Sequence, residues 1–370
     1  MGGTEQKYVI DAFQSNWVAP LGPNVDLFEK QLTSYTNTAG AVSLSSGTAA
    51  LHLGLLALGV KRGDIVLCQS MTFAASAFPI QHIGAEAVFV DSELDTWNMD
   101  PALLKQAIEE LSKKNQKPAA IVVVHLYGMP AKMNEILKIA ASYEIPVIED
   151  AAEALGSKYF DKPCGGLGDI GVLSFNGNKI ITTSGGGAFL SNDAKMLQQA
   201  RHWSAQSKEP APYYLHKETG YNYRMSNICA GIGRGQMEVL EERVSKRREI
   251  HEIYRKLLSD VSQVSFLNES EGCYSNRWLT TILFDASLGF DFSEQVRLKL
   301  EEVNIESRPL WKPLHQQPIF SSNIHYCSGV SDDLFARGLC LPSGTAMTDE
   351  VVAKVADIVN SCVMHSLIKS

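Results

Sequence analysis

The sequence predicts an α/β protein with a mostly parallel sheet in a large unit, followed by a smaller α+β unit. Two observations carry the first part. Between residues 41 and 150, apolar runs of strand length alternate with helical patterns, as in βαβ units. One run, AAIVVVHLYG at 119–128, is β-branched and apolar on both faces, as a strand inside a parallel sheet must be. A third observation marks the second part. After residue 230 the pattern changes to one long helical stretch and a short strand–helix tail. The expected division is a large unit over 1–240 and a small one over 241–370.

The elements follow in order. AVSLSSGTAALHLGLLAL at 41–58 reads as a short strand, a small-residue turn and a helix. DIVLC at 64–68 and EAVFVD at 86–91 read as strands. Asp100 and Pro101 open a helix, since Asp suits the N-cap and Pro the first helical position. That helix carries apolar residues at Leu103, Leu104, Ile108 and Leu111. AKMNEILKIAASYE reads as a helix and IPVIED, ending at Asp150, as a strand. GLGDIG at 166–171 matches G-x-G-x-x-G, but it precedes a strand pattern instead of opening a helix. It is a Gly-rich turn, not a dinucleotide fingerprint, and Gly185–Gly187 is another turn. QMEVLEERVSKRREIHEIYRKLL at 236–258 reads as one helix with a Glu242–Lys246 pair at i, i+4. RWLTTILFD (277–285) reads as a strand, FSEQVRLKLEEVNI (292–305) as a helix, and a last helix spans about 349–368.

Composition narrows the function. The chain has 370 residues, a net charge of −8 and no basic stripe, which argues against nucleic acid as a partner. Its seven cysteines are odd in number and never form a C-x-x-C pair. Neither a disulfide framework nor a metal site is expected, which fits a reducing cytoplasm. No apolar run approaches membrane-spanning length, and MGGTEQ carries neither a signal-peptide nor a myristoylation pattern.

The chemistry gathers around Lys179, in LSFNGNKIITTSGGG at 173–187. Ser174 stands five residues before it, and Asp150 ends an upstream strand. A lysine able to form a Schiff base, with an Asp able to pair with a pyridinium nitrogen, is what pyridoxal phosphate needs from a protein. SSGTAAL at 45–51 joins a strand to a helix, and a helix N-terminus suits a phosphate. There Gly47 permits close approach and the amides of Thr48 and Ala49 are available. Ser and Thr are also plain N-caps. Asp150 could equally cap the stretch after it, and Glu153 could complete a capping box. Phe73 could stack on a ring or sit in the core. GYNYRMSN at 220–227, with His202, His216 and Arg224 nearby, could serve a site or a wet surface. ESRPLWKPLHQQP at 306–318 places Arg308, Trp311 and His315 on one Pro-rich loop, which could line a polar ligand.

The order SSGTAAL, TFAAS, IEDAAEALGS, SFNGNKIITTSGGG, GYNYRMSN resembles the DegT/StrS family of nucleotide-sugar aminotransferases over essentially the whole chain. The resemblance implies a fold-type I, aspartate aminotransferase-like pyridoxal-phosphate enzyme that forms homodimers with shared active sites. It implies Lys179 as the Schiff-base lysine and Asp150 as the partner of the pyridine nitrogen. Thr48, Ala49 and Ser174 fall on phosphate ligands, Phe73 on the ring-stacking position and Glu153 near the phenolic oxygen. Asn222 falls on an asparagine that reaches the phosphate from the other subunit. A family branch that replaces the lysine with histidine performs dehydration, and Lys179 speaks against it.

The tail segments SNRWLTT, ESRPLWKPLH and LCLPSGTAM, with NWVAPLGP at 16–23, resemble one group of members. These move the amino group of L-glutamate to carbon 4 of a UDP-4-keto-6-deoxy-N-acetylhexosamine. That resemblance puts Asn16, the turn at Pro20–Gly22, Arg308, Trp311 and His315 at the sugar nucleotide. Alternatives are another pyridoxal-phosphate reaction on a dTDP- or GDP-linked keto sugar, or a non-catalytic nucleotide-sugar binding or regulatory module.

Overall fold

The computed structural model describes residues 1–369. Two helices, α1 (Glu5–Gln14) and α2 (Pro23–Thr36), lead into β1 (Gly40–Leu44) and α3 (Gly47–Ala57). Strands and helices then alternate: β2 (Ile65–Gln69), α4 (Phe78–Ile83), β3 (Glu86–Val90), α5 (Pro101–Lys113), β4 (Ala120–Val124), α6 (Met133–Ser142) and β5 (Val147–Asp150). A small hairpin of β6 (Lys158–Tyr159) and β7 (Lys162–Pro163) precedes β8 (Ile170–Ser174), β9 (Gly187–Ser191) and α7 (Ala194–Ser204). Two helices follow, α8 (Asn227–Met237) and α9 (Leu240–Leu257). The tail contains β10 (Val264–Phe266), β11 (Cys273–Tyr274), β12 (Thr280–Phe284), α10 (Phe292–Glu301), β13 (Arg308–Pro309), β14 (His325–Tyr326), α11 (Val330–Arg337), β15 (Gly338–Leu341) and α12 (Asp349–Lys369).

The large sheet has eight strands in the order β1-β9-β8-β5-β4-β2-β3-β14. Pairs from β14 through β8 are parallel, and only β8–β9 and β9–β1 are antiparallel. The central strand β4 (AIVVV) is apolar throughout because both of its faces are covered. Ala120 and Val122 of β4 join one core cluster, and Ile121 and Val123 join another on the opposite face. Burying each such Val or Ile contributes about 1.5–3 kcal/mol. A second sheet, β10-β12-β15-β13, is antiparallel throughout. It packs with α9, α10 and α12 around Ile250, Ile282, Val296 and Val355. The two parts interlock: β14 adds to the large sheet beside β3, although it lies well past residue 241.

Local chemistry explains the helix ends. Asp100 Oδ1 accepts the amides of Ala102 and Leu103 at 2.7 and 3.4 Å, capping α5. Leu104, Ala107, Ile108 and Leu111 of α5 are fully buried at helical spacing. The single helix expected over 236–258 is instead two. α8 ends at Met237, and Val239 leaves helical geometry at φ −115, ψ 10. At this break Glu238 turns to α1, where it accepts the Thr4 and Tyr8 hydroxyls at 2.6 and 2.5 Å. The expected Glu242–Lys246 pair also fails. Lys246 meets Glu249 at 3.0 Å, and Glu242 meets Arg243. The helix expected over 292–305 stops at Glu301.

A further correction concerns the last helix. Asp349–Ile368 is long and apolar enough to cross a membrane by length and composition, contrary to the reading of the sequence. Its apolar residues are used otherwise. Val352, Val355, Ala356, Val359 and Val363 recur at helical spacing and are buried in the core of the second sheet.

Candidate active site

β1 runs antiparallel to β9, and β9 antiparallel to β8, so β1 shares the direction of β8 and of the parallel strands. Their carboxyl ends therefore lie on one edge. Gly187, which opens β9, is in register with both Leu44 and Ser174. A cavity of about 290 Å³ opens at this edge, where open α/β sheets bind ligands.

One end of the cavity is built for an anion. Ser46 is extended at φ −166 and caps α3, its Oγ accepting the Ala49 amide at 3.0 Å. No acid stands in the first turn of α3, so the positive end of its dipole is uncompensated. Thr48 and Ser174 face the cavity. A Cβ at Gly47 would stand 3.1 Å from the Ser174 Cβ, so glycine keeps this end open. Hydroxyls, amides and a dipole end form a donor set suited to a phosphate. Ala49 does not line the cavity, and its amide is taken by Ser46.

The floor is acidic. Asp150 ends β5 and is buried. Burial pushes its carboxyl above the ordinary range, while the Ser76 hydroxyl at 2.7 Å, the Ala152 amide at 3.2 Å and the Lys179 charge pull it back. Glu153 is buried too, and burial likewise raises its carboxyl. Its Oε2 accepts the Tyr127 amide at 2.7 Å, and its Oε1 lies 3.6 Å from Lys179 Nζ. Tyr127 takes a left-handed conformation, φ 55, to aim that amide.

Lys179 projects from a loop closed at its base. The Phe175 amide donates to Gly186 O at 2.8 Å, and the Thr183 amide to Phe175 O at 3.0 Å. The lysine ammonium sits between the Glu153 carboxyl and the face of Trp278, 4.3 Å from the ring centroid. Phe73, 58% exposed, stands over the cavity with its ring 6.1 Å from that of Trp311. The Trp311 indole nitrogen is buried and faces the Glu153 carboxyl, whose charged form it favours.

Asn178, Trp278 and Trp311 also line a second, more open cavity of about 680 Å³, with Arg308 among its other residues. Arg308 donates Nε and Nη2 to Glu306 at 2.8 and 2.6 Å. The structure thus brings together Thr48, Phe73, Asp150, Glu153, Ser174, Lys179 and Trp311, with Arg308 in the adjoining groove. It does not bring in the others. His315 lines neither cavity. Its Nδ1 meets Ser70 Oγ at 2.7 Å and its Nε2 meets Asp332 at 2.9 Å, pinning the 311–318 loop to the end of β2. Asn16 is exposed at φ 58, on a stretch that packs on the start of α8 through Asn227. Asn222 lies between Tyr221 and Tyr223, whose rings stack 5.0 Å apart beside His52. Arg224 pairs with buried Glu29 at 3.0 Å, His202 with Glu218 at 3.4 Å, and His216 bonds Gln206 O at 2.9 Å.

The sequence reading missed Trp278, Ser76 and Tyr127. SNRWLTT was noticed, but nothing local says that its tryptophan faces a lysine about a hundred residues away. The glycine loop 165–168 also has a use. Its Gly165, Leu167 and Gly168 amides close on the buried Glu149, which pairs with His125 at 2.8 Å. His125, Glu149 and Cys164 are close enough to hold an ion, but these hydrogen bonds already occupy the Glu149 oxygens.

The chain belongs to the DegT/DnrJ/EryC1/StrS aminotransferase family, which matches residues 1–360. It is 50% identical over 363 residues, covering 97% of this chain and 92% of the relative, to EpsN of Bacillus subtilis (strain 168), whose name assigns it provisionally to the pyridoxal phosphate-dependent aminotransferases. It is 37% identical over 358 residues to the GDP-perosamine synthase of Escherichia coli O157:H7, covering 97% and 95% of the two chains. A DegT DnrJ EryC1 StrS aminotransferase from Brucella abortus superposes with a TM-score of 0.90 at 29% identity, covering 97% of this chain and 95% of that one. The protein is a pyridoxal-phosphate-dependent nucleotide-sugar aminotransferase of fold type I.

Proposed function

We propose that the chain transfers an amino group from L-glutamate to C4 of a UDP-linked 4-keto-6-deoxy-N-acetylhexosamine, in the bacterial cytoplasm, for amino-sugar and glycan biosynthesis. The single observation behind the site assignment is the placement of Lys179. Its ammonium shares one 290 Å³ cavity with buried Asp150 and Glu153 and with a helix end suited to an anion. In this reading Ser174, Thr48 and the amides opening α3 hold the phosphate. Asp150 faces the pyridine nitrogen, Glu153 the phenolic oxygen, and Phe73 covers the ring. Bound pyridoxal phosphate supplies an electron sink that makes the donor's Cα proton labile.

Lys179 then acts as the base. It takes the proton from Cα of glutamate and hands it to the cofactor, and in the second half of the cycle it would return a proton from the cofactor to C4 of the sugar, whose keto oxygen leaves as water. Trp311 covers an apolar sugar face. Arg308 leaves Glu306 for the diphosphate, since a guanidinium suits phosphate oxygens. Asn16 and Asn222 lie outside this chain's own cavity, and a homodimer would carry them to the second site. The division at residue 240 leaves seven of the eight strands of the cofactor sheet in the large unit, while the tail adds β14 to that sheet and supplies Trp311 and Arg308.

Support for the UDP sugar comes from the tail segments SNRWLTT, ESRPLWKPLH and LCLPSGTAM. A second reading, a GDP-linked 4-keto sugar, is favoured by three relatives named GDP-perosamine synthase. Offering UDP-, dTDP- and GDP-linked 4-keto sugars separately to glutamate-loaded enzyme distinguishes them. The proposal expects the UDP-N-acetyl sugar to be aminated at least about a hundredfold faster, in kcat/KM, than either other. A preference for the GDP sugar overturns the substrate and leaves the aminotransferase intact.

A further inference from the structure

We propose that Trp278 is the positioning residue of Lys179: its indole face carries the lysine ammonium, and its indole N–H fixes the backbone from which the lysine hangs. The proposal rests on the reading of Lys179 as the reacting amine. The ammonium lies 4.3 Å from the ring centroid, within the range where an aromatic face attracts a cation. The same indole donates its N–H to the carbonyl of Asn178, the residue before the lysine, at 2.8 Å. Face and edge of one ring thus hold the side chain and the main chain of one loop.

The ring is itself held. Trp278 is 2% exposed, and its amide donates to Asn276 Oδ1 at 2.8 Å. Arg247 donates to its carbonyl. Asn276 also donates Nδ2 to the carbonyls of Glu153 and Leu155 at 2.9 and 2.8 Å. One asparagine therefore ties the main chain of Glu153 to that of Trp278, the two residues that flank the ammonium. Gly128, at φ +86, makes room for it: a Cβ there would stand 1.9 Å from Asn276 Oδ1. The need for the frame follows from the cavities. Beyond Trp278 and Asn178 lies the open 680 Å³ groove, into which a released lysine would otherwise swing. A cation–π contact in a desolvated site holds it back, and tryptophan is the strongest ring for the purpose.

The test uses the full-length enzyme converted with excess L-glutamate, so that Lys179 carries a free amine. The Lys179 peptide is followed by mass spectrometry during modification by an amine reagent. In Trp278→Leu the modification should run about tenfold faster than in wild type. The rate of the glutamate half-reaction should fall about tenfold or more, with KM for glutamate changed less than about threefold. Trp278→Phe keeps a weaker ring but loses the N–H bond to Asn178, so it should recover only part of both losses. If Trp278→Leu does not fold, Trp278→Phe alone decides, with an expected rise in modification of about threefold. Wild-type modification rates in either folded variant, or equal impairment of Phe and Leu, would overturn the proposal. Turnover by Lys179→Ala would instead remove the reading on which it rests.

Discussion

Asp150 and the residues around it carry the electrostatics of the site. The carboxylate is buried, accepts from Ser76 and Ala152, and feels the Lys179 charge. An amide of the same shape can still accept one of those bonds but holds no charge against a pyridinium. Asp150→Asn is therefore expected to lower kcat at least about a hundredfold while unfolding within about 1 kcal/mol of wild type, since a buried charge is removed without leaving a hole. A rate within a few-fold of wild type would show that Asp150 only caps the chain after β5. Residue types were legible at this scale, because lysine, aspartate and glycine stand in runs whose order is informative. Partners distant in sequence were not. The 4.3 Å approach of Trp278 to Lys179 and the burial of His315 against Ser70 and Asp332 depend on loops meeting from different parts of the chain. Arg308, Trp311 and His315 share one short loop, yet only Trp311 lines the cofactor cavity.

Among the elements, α11 shows how the tail is fastened to the large sheet. It begins at Val330 behind Gly329, with no cap from its own side chains. Asp91, at the end of β3, serves instead. It accepts the amides of Ser328 and Gly329 at 2.9 Å each and of Ser331 at 3.1 Å. Burial opposes its charge, but the hydrogen bonds from Ser331, Ser92 and Ser328 outweigh this and hold the carboxyl below its ordinary range. A depressed carboxyl stabilises the fold above its unfolded pKa of about 4 and loses that contribution as pH falls through the folded value. Asp91→Asn should cost about 2 kcal/mol at pH 7, and the gap from wild type should narrow at pH 3. Thermal midpoints at the two pH values test this, and a gap that does not change with pH would contradict it. The sequence showed strands and helix starts well, because Asp100–Pro101 and the runs at 64–68 and 119–128 obey local rules. It could not show that the helix breaks at Val239, because the break accompanies contacts of Glu238 with Thr4 and Tyr8, more than 200 residues upstream. Nor could it show that His325–Tyr326 would join the large sheet.

At the scale of the whole molecule, the cavity collects its walls from strand ends across the large sheet and from the tail, and five expected site residues, Ala49, Asn16, Asn222, Arg308 and His315, remain outside it. In the proposed homodimer with shared sites, Asn222 and Asn16 would reach the partner subunit's cavity. Mixing Lys179→Ala with Asn222→Ala subunits should then restore up to about a quarter of wild-type activity. Random exchange makes half of the dimers mixed, and each mixed dimer holds one intact site. No recovery after verified exchange would count against shared sites. In the proposed function Lys179 runs an amino transfer from glutamate to a keto sugar, and following the two half-reactions separately reads that transfer out. Full-length enzyme is loaded with pyridoxal phosphate and then with L-glutamate. It is cleared of free amino acid and given the UDP-4-keto-6-deoxy-N-acetylhexosamine. About one 2-oxoglutarate should be released per site, then about one amino sugar formed as the cofactor spectrum returns, with Lys179→Ala performing neither step. Failure of wild type to release 2-oxoglutarate, or full turnover by Lys179→Ala, would contradict it.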